Sequence, residues 1–243
     1  MQIMITPSNI KTTDFLPNDY RYAGALFITH SLYSSNLIRK FAWQTELVAG
    51  VRGPLSFARE GQTMVHALVH DRKPMGWHNQ LSSMPLININ ISAEKNLVSY
   101  NNWFELNAGA QVRAGTMMDA VMIYPMVRIG KMAPYFDGFF SRFGRYKVNG
   151  RWMRSQFYFL CRPALQFVAY NAAFQGRREN EIEASHNASD ITHPIAHGIA
   201  ELQYGGVMVF GNFSFSYLQT NTTRYVRGFY GHSFGTVALG FAW

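Results

Sequence analysis

Two polar side chains, Gln62 and His66, stand four residues apart in a segment of helical periodicity, SFAREGQTMVHALVH. Residues four apart on a helix lie on the same side of it, so these side chains are neighbours. A histidine can take a proton from water as a general base, and a polar group beside it can orient the water or the substrate. An exposed polar helix surface shows the same spacing. The residues alone therefore leave hydrolytic chemistry and a solvated helix both open.

Histidine pairs at this spacing also raise the question of metal binding. His66 and His70 are four residues apart, and so are His193 and His197, but neither pair contains the Glu of the zinc motif HExxH. A single cysteine, Cys161, excludes an internal disulfide framework and a paired-cysteine metal site. The spacing of the histidines does not by itself identify a metal site.

A third pattern, Gly231-His-Ser233-Phe-Gly235, matches by its letters the G-x-S-x-G motif of serine hydrolases. That motif requires a strand, a sharp turn and then a helix. The residues that follow here predict a strand instead. We therefore interpret the pattern as the glycine-rich start of the last strand.

Basic residues outnumber acidic ones by 22 to 14, which gives a formal net charge of +8. Such a surplus favours an anionic partner: nucleic acid, a phosphorylated lipid or an anionic membrane surface. No RNA-binding aromatic motif, zinc knuckle or helix-turn-helix pattern accompanies the charge, so we expect no nucleic acid. Basic residues in or near predicted loops could bind phosphate groups or could simply be solvated. They are Arg72, Lys73, Arg142, Arg145, Lys147, Arg151 and Arg154.

The β-strands that must position these residues are predicted by the alternation of apolar and polar residues along the sequence. Ile87, Ile89 and Ile91 alternate with Asn88 and Asn90, and successive side chains of a strand point to opposite faces. We predict an interior lined by Gln44, Glu46, Asn88, Asn90, Gln111 and Arg113, and a lipid-facing surface that includes Ile87, Ile89, Ile91, Val237, Leu239 and Phe241. Further strands are predicted at about 20–32, 119–130, 154–172, 195–206 and 232–243.

Composition narrows the fold class. The chain is 48% hydrophobic, with 19 Phe and 13 Tyr, which excludes disorder. No run reaches the roughly 18 apolar residues of a membrane-spanning helix. A soluble β-sandwich and a transmembrane barrel both remain possible from alternation. Polar residues in mid-strand, aromatic residues at strand ends and a final aromatic strand favour an all-β antiparallel transmembrane β-barrel, with residues 1–243 as one domain.

One segment departs from the strand pattern. Ser56 to about His70 has helical spacing, with Ser56 as the expected N-cap. Phe57, Met64 and Leu68 share one side of this helix, opposite Gln62 and His66. A helical loop at about 56–71 between two strands is an unusual insertion, and long loops with their own structure are often functional.

The motifs around this helix resemble a known family. Gly50-Val-Arg-Gly-Pro54, Gln62-Thr-Met-Val-His66 and Gly76-Trp77-His-Asn79-Gln80-Leu81 occur in the order and spacing of the lipid A 3′-O-deacylases of Gram-negative outer membranes, the LpxR family. Ile5-Thr6-Pro7, the run Asn18-Asp19-Tyr-Arg-Tyr22-Ala23-Gly24 and Ala164 to Asn171 are also similar to family segments. The resemblance extends over essentially the whole chain.

The resemblance implies a twelve-stranded antiparallel barrel, about ten strands of which are present here, with the active site between the barrel wall and a helix of an extracellular loop. It implies hydrolysis of the ester-linked 3′ acyloxyacyl chain of lipid A by a His-activated water, with calcium stabilising the oxyanion. His66 would be the base and Gln62 a polar partner, both turned toward the wall. The family's acidic residue falls on Arg72, and the adjacent Asp71 could replace it. We expect Arg72, Lys73 and Lys11 to bind lipid phosphates, and a monomer in the outer membrane that binds lipopolysaccharide.

The chain also departs from the family. Members begin about two strands earlier, and those strands carry an Asn-Asp pair and a hydroxyl residue of the active site. Asn18-Asp19 matches a later structural turn and not that pair. The start, MQIMITPSNIKTTDFLP, lacks a secretory signal pattern. We therefore expect the calcium-side residues to lie outside these residues and this form to have little activity. A non-catalytic barrel that binds lipopolysaccharide, or is structural, is the alternative.

Overall fold

The structure is a computed structural model, which describes residues 1–16, 19–137, 146–148, 151–153, 155–175 and 194–241. For 146–148 and 151–153 it describes the backbone alone. Asn18, Arg142, Arg145, Arg154 and His193, and the side chains of Lys147 and Arg151, lie outside the described residues.

Ten antiparallel strands form a single sheet in the order β1-β2-β3-β4-β5-β6-β9-β10-β11-β12. Their bounds are β1 Gln2–Ile5, β2 Ala23–Asn36, β3 Phe41–Arg52, β4 Met84–Tyr100, β5 Phe104–Gly115, β6 Met118–Lys131, β9 Ser155–Asn171, β10 Gly198–Phe210, β11 Phe213–Thr222 and β12 His232–Phe241. A separate hairpin pairs β7 Tyr146–Val148 with β8 Arg151–Met153. The predicted all-β antiparallel class is confirmed, and each predicted strand is present with shifted ends.

Apolar and polar strand residues lie on the faces of the sheet that the sequence predicts. Ile87 and Ile89 are half exposed on the outer face of the sheet, while Asn88 between them is 2% exposed. Interior polar side chains bond to one another: the Asn90 amide donates to the Glu46 carboxylate at 2.7 Å, and the Arg113 guanidinium donates to the Gln111 amide oxygen at 2.7 Å. Because the side chains of a strand alternate with period two, this register turns the apolar residues of the same strands outward.

The two ends of the sheet differ in their connections. At one end the strands join through tight turns at 37–40, 101–103 and 211–212, and this end also carries the connection from β6 to β9. At the other end, which we call the loop end, lie residues 6–16, 19–22, 53–83, 172–175, 194–197 and 223–231, together with the tight turn 116–117. The helix α1 Ala58–Leu68, with the short 3-10 helices Pro54–Ser56 and Trp77–Asn79, belongs to the loop end.

Aromatic contacts join the two edges of the sheet at the loop end. The Tyr20 hydroxyl donates to the Tyr230 carbonyl at 2.9 Å, and the Tyr230 hydroxyl donates to Asp19 at 3.1 Å. The Tyr20 ring lies 4.7 Å from the His232 ring. Burial, and then the charge of Asp19, raise the pKa of Tyr230 to about 12. The sheet is thus curled so that the start of β2 meets the start of β12, although no ladder joins β1 to β12 within the described residues.

A buried ion pair fixes the opposite end. Arg128 is fully buried and lies 2.7 Å from Glu105, with its guanidinium over the rings of Tyr158 and Tyr135. Glu105 also accepts the Tyr135 amide at 3.1 Å. These contacts hold the chain that follows β6 against the interior. No described helix has the length and apolar composition to cross a bilayer.

Candidate active site

The helix α1 starts at Ala58, two residues later than the sequence predicts. Gly53, at φ +89°, reverses the chain after β3, and a Cβ there would lie 2.7 Å from the backbone of Ser82. The 3-10 turn Pro54–Ser56 follows, and Phe57 then adopts the left-handed conformation and caps α1. Ser56 is buried and donates its hydroxyl to the Gly53 carbonyl at 2.6 Å. Ser56 is therefore not the N-cap, because its hydroxyl stabilises the preceding turn.

The helix ends in a Schellman motif that places Asp71. His70 takes the left-handed conformation at φ +56°, the Asp71 amide donates to the His66 carbonyl at 2.8 Å, and the His70 amide donates to Ala67. His70 is thus beyond the helix and exposed, and it does not pair with His66. The predicted helix end at about His70 is two residues too long, because the chain reverses its twist there.

A close approach docks α1 on the outer wall of the sheet. A Cβ on Gly24 of β2 would lie 2.2 Å from the Ala58 Cβ and 2.4 Å from the Ser56 hydroxyl. The Gln2 side chain donates to the Ser56 carbonyl at 2.7 Å, and Gly61 packs beside Met4. Gly24, Gln2 and Met4 all face away from the interior, so the helix covers β1 and β2 from outside.

The helix turns its polar side toward this wall and its apolar side away. Met64 and Leu68 are 61% and 70% exposed, whereas the His66 side chain is 16% exposed. The nearby outer wall is apolar too, with Leu26 and Ile28 exposed on β2. We call the partly buried polar region between the helix and this wall, which holds Gln62 and His66, the cleft; apolar side chains surround it.

Within the cleft the structure brings together His66, Gln62 and Asp71. The His66 Nδ1 lies 3.3 Å from an Asp71 carboxylate oxygen. Their alignment does not meet the geometry of a hydrogen bond, so Nδ1 is buried without a hydrogen-bond partner in the described part of the chain. The Asp71 side chain is itself 58% exposed. A small rotation of either group would complete the contact.

Gln62 is held by a tryptophan that the site prediction omitted. The Trp77 indole N–H donates to the Gln62 side-chain oxygen at 2.6 Å, and Trp77 is buried at 2% exposure. Its ring packs 4.8 Å from the Tyr22 ring, and burial raises the pKa of Tyr22. A Cβ on Gly76 would lie 2.7 Å from that tyrosine ring. The Gly76-Trp77 motif could have indicated this role, since a buried indole N–H needs an acceptor.

The predicted phosphate-binding residues lie on adjoining segments of the loop end. The Met75 amide donates to the Ile10 carbonyl at 2.9 Å, which brings the chain around Arg72 and Lys73 beside Lys11. All three basic side chains are exposed. The segment is fixed further by Asn79, whose amide donates to the Thr13 carbonyl at 2.9 Å.

Calcium does not fit the donors that the structure describes. Calcium takes about six to eight oxygen ligands, and within the described residues no three His, Cys, Asp or Glu side chains gather to hold a metal ion. Asp71 is the carboxylate beside His66, and the oxygen of Gln62 already accepts from Trp77. We therefore derive no step through calcium.

Two further sequence patterns are explained by structure. Ser233 lies within β12 and donates to the Asn221 side chain at 2.7 Å, so the G-x-S-x-G letters form a strand as predicted. Asp19 is buried and accepts the amide and the hydroxyl of Ser8, which fits the structural turn that the sequence indicates. The His197 ring contacts the Val168 carbonyl at 2.7 Å.

This architecture, a curled antiparallel sheet with a polar interior, an apolar outer wall and a helix on one side, defines an outer-membrane β-barrel protein. A profile of the family described as outer membrane protein LpxR matches residues 1–243, and the chain belongs to that family. Among solved structures, LpxR from Salmonella typhimurium matches with a TM-score of 0.81 over 100% of this chain and 81% of that chain, at 15% identity. No curated protein sequence matches.

Proposed function

We propose that the cleft beneath α1 hydrolyses the ester-linked 3′ acyloxyacyl chain of lipid A in the outer membrane. The observation that carries the proposal is the position of His66. It is a mostly buried histidine on the wall-facing side of a helix whose other side is apolar. A lipid ester at the membrane surface can reach such a cleft without leaving its apolar surroundings.

The chemistry needs a base for water. In the proposed step, the neutral His66 ring takes a proton from water while the water oxygen attacks the ester carbonyl carbon. The bond from that carbon to the sugar oxygen then breaks, and the proton passes to the sugar oxygen, giving a free 3′-hydroxyl and the acyloxyacyl chain as a free carboxylic acid. Asp71, 3.3 Å from Nδ1, favours the tautomer with the proton on Nδ1, which leaves Nε2 as the base. Gln62 is a positioning residue held by Trp77.

The surroundings suit a phosphorylated, acylated substrate. Lys11, Arg72 and Lys73 are exposed cations on adjoining segments, and cations bind phosphate by charge-assisted hydrogen bonds. Met64, Leu68 and the outer wall at Leu26 and Ile28 offer apolar surface for acyl chains. Lipopolysaccharide is therefore the partner that we propose, bound to a monomer.

The test is mass spectrometry of lipid A from a Gram-negative host whose lipid A carries an unmodified 3′ acyloxyacyl chain. The natural gene product should remove that chain. His66→Ala should lower the rate by about 10²–10⁴, the usual contribution of a general base. His70→Asn is the matched control, because asparagine tolerates the left-handed conformation at that position, and it should retain activity.

The described side chains around His66 do not fit calcium, and this observation favours a second function. If the wild-type protein binds lipid A but leaves its acyl chains intact, the cleft is a binding site for lipopolysaccharide and not an esterase. Deacylation by the His66→Ala protein at the wild-type rate would instead overturn the role of His66 as base. Heat-modifiable migration on gels checks that each variant is folded.

A further inference from the structure

A second site lies on the outer wall, far along the sheet from α1. Two rows of cross-strand neighbours form it. The first row runs from Val121 on β6 through Phe167 on β9 to Gly198 on β10, and the second runs from Ile123 through Leu165 to Ala200. The surface between them and the 223–231 loop is a groove of about 900 Å³.

The groove exists because both rows change from large to small side chains at β10. Phe167 and Leu165 are each about 60% exposed on the outer face, whereas Gly198 and Ala200 beside them offer almost no side chain. A Cβ on Gly198 would meet no atom within 4 Å. On the far side the groove is bounded by Thr223 and Phe229 of the loop. An apolar depression of this size on a lipid-facing wall is filled by lipid.

One cation stands at its rim. Arg224 lines the groove, is exposed and makes no ion pair or hydrogen bond through its side chain within the described residues. It lies at the loop end, and in outer-membrane barrels the end with the longer loops is extracellular. The groove therefore runs from the outer-leaflet acyl region to a cation at headgroup level.

We propose that this groove binds one molecule of the phosphorylated, acylated glycolipid of the outer leaflet, a lipid A. An acyl chain would lie over Gly198 and Ala200, and a phosphate would bind Arg224 by charge-assisted hydrogen bonds. The combination of an apolar groove with an adjacent cation is complementary to that amphiphile. The proposal goes beyond the function of the α1 cleft, because the groove lies on β6, β9 and β10 and the cleft on β1 and β2, and it does not depend on catalysis.

Lipid binding is measured by native mass spectrometry of the detergent-purified protein with added bis-phosphorylated, hexa-acylated lipid A. The His66→Ala background reduces any turnover by about 10²–10⁴, and the mass of the bound lipid shows whether its acyl chains are intact, so the result is readable whether or not the cleft is an esterase. Gly198→Trp should remove one bound lipid by filling the groove. Gly206→Trp is the matched control, because Gly206 lies on the same strand and a Cβ there also meets no atom within 4 Å. It should leave the lipid count unchanged.

A second variant does not depend on tolerance of a large side chain. Arg224→Glu, in an exposed loop, should weaken binding of the groove lipid about tenfold, the scale of one charge-assisted contact. Arg227→Glu makes the same change of charge in the same loop, outside the groove, and should have little effect. Equal losses for Arg224→Glu and Arg227→Glu, or for Gly198→Trp and Gly206→Trp, would overturn the proposal. Displacement of the lipid A by equimolar phosphatidylglycerol would overturn the choice of ligand.

Discussion

The cleft beneath α1 and the groove beside β10 both lie on the outer wall at the loop end, and a glycine contributes to each of them. The Cβ position of Gly24 is occupied, 2.2 Å from Ala58, whereas the Cβ position of Gly198 is empty. At Gly24 the absence of a side chain allows Ser56 and Ala58 to pack against the strand. At Gly198 it leaves space that the membrane must fill.

This difference separates the site for which we propose catalysis from the site for which we propose lipid binding. The helix that docks at Gly24 covers the polar side chains of His66 and Gln62 from outside and leaves His66 only partly exposed. A preorganised polar environment of this kind can support proton transfer. No helix covers the groove in the described part of the chain, and Arg224 is the one charged residue among the described residues that line it. No His, Cys, Asp or Glu lines it within the described residues, so we propose that it binds an amphiphile and catalyses no reaction.

The largest loss of activity is expected where the helix α1 is displaced from the outer wall. Gly24→Leu would place a side chain where Ala58 now packs, so α1 must move from the wall. Misplacement of a catalytic group by about 1 Å can cost on the order of 10²-fold in rate, and we expect deacylation to fall by at least that factor. Lipid A mass spectrometry measures it.

The control for that variant is Gly206→Leu, which has free space on the same wall. Native mass spectrometry of the Gly24→Leu protein should still show the groove lipid. If Gly24→Leu also releases that lipid, the two sites are not independent and the comparison fails.

An intermediate effect is expected for Asp71→Asn. The amide keeps the size of the side chain but removes the charge 3.3 Å from His66 Nδ1. Because Asp71 is more than half exposed, we expect about a tenfold loss of kcat with KM unchanged, well below the loss at His66. Asp14→Asn, a change at another exposed carboxylate, is the control. A rise of KM alone would show that Asp71 binds substrate and does not position the base.

The smallest effect is expected for Trp77→Phe. This change removes the hydrogen bond to Gln62 but keeps most of the aromatic packing on Tyr22. One hydrogen bond contributes about 1 kcal/mol, and loss of its buried partner somewhat more, so the rate should fall severalfold. Trp103→Phe, at an exposed turn, should leave it unchanged. Wild-type kinetics for Trp77→Phe would show that the hydrogen bond from Trp77 is not needed to position Gln62.

The sequence by itself determined the strands and their faces. Alternation placed Asn88 and Asn90 inside and Ile87 and Ile89 outside, because side-chain direction in a strand is a local property with period two. The motif block at Gln62, His66 and Trp77 also indicated the family, which the profile match over the whole chain confirms. The roles proposed for His66, Gln62 and Asp71 remain predictions.

Only the tertiary structure decided how the helix α1 and the loop that follows it pack against the sheet. Helical periodicity gives α1 an apolar side and a polar side, and in a soluble protein the apolar side would face the core. Here the wall stands in lipid, so the apolar residues Met64 and Leu68 face outward and the polar side faces protein. The displaced cap at Ser56, the left-handed turn at His70 and the bond from Trp77 to Gln62 likewise depend on neighbours distant in sequence. Local sequence carries conformational preference, but which surface covers which is fixed only when the sheet curls and the loop returns to it.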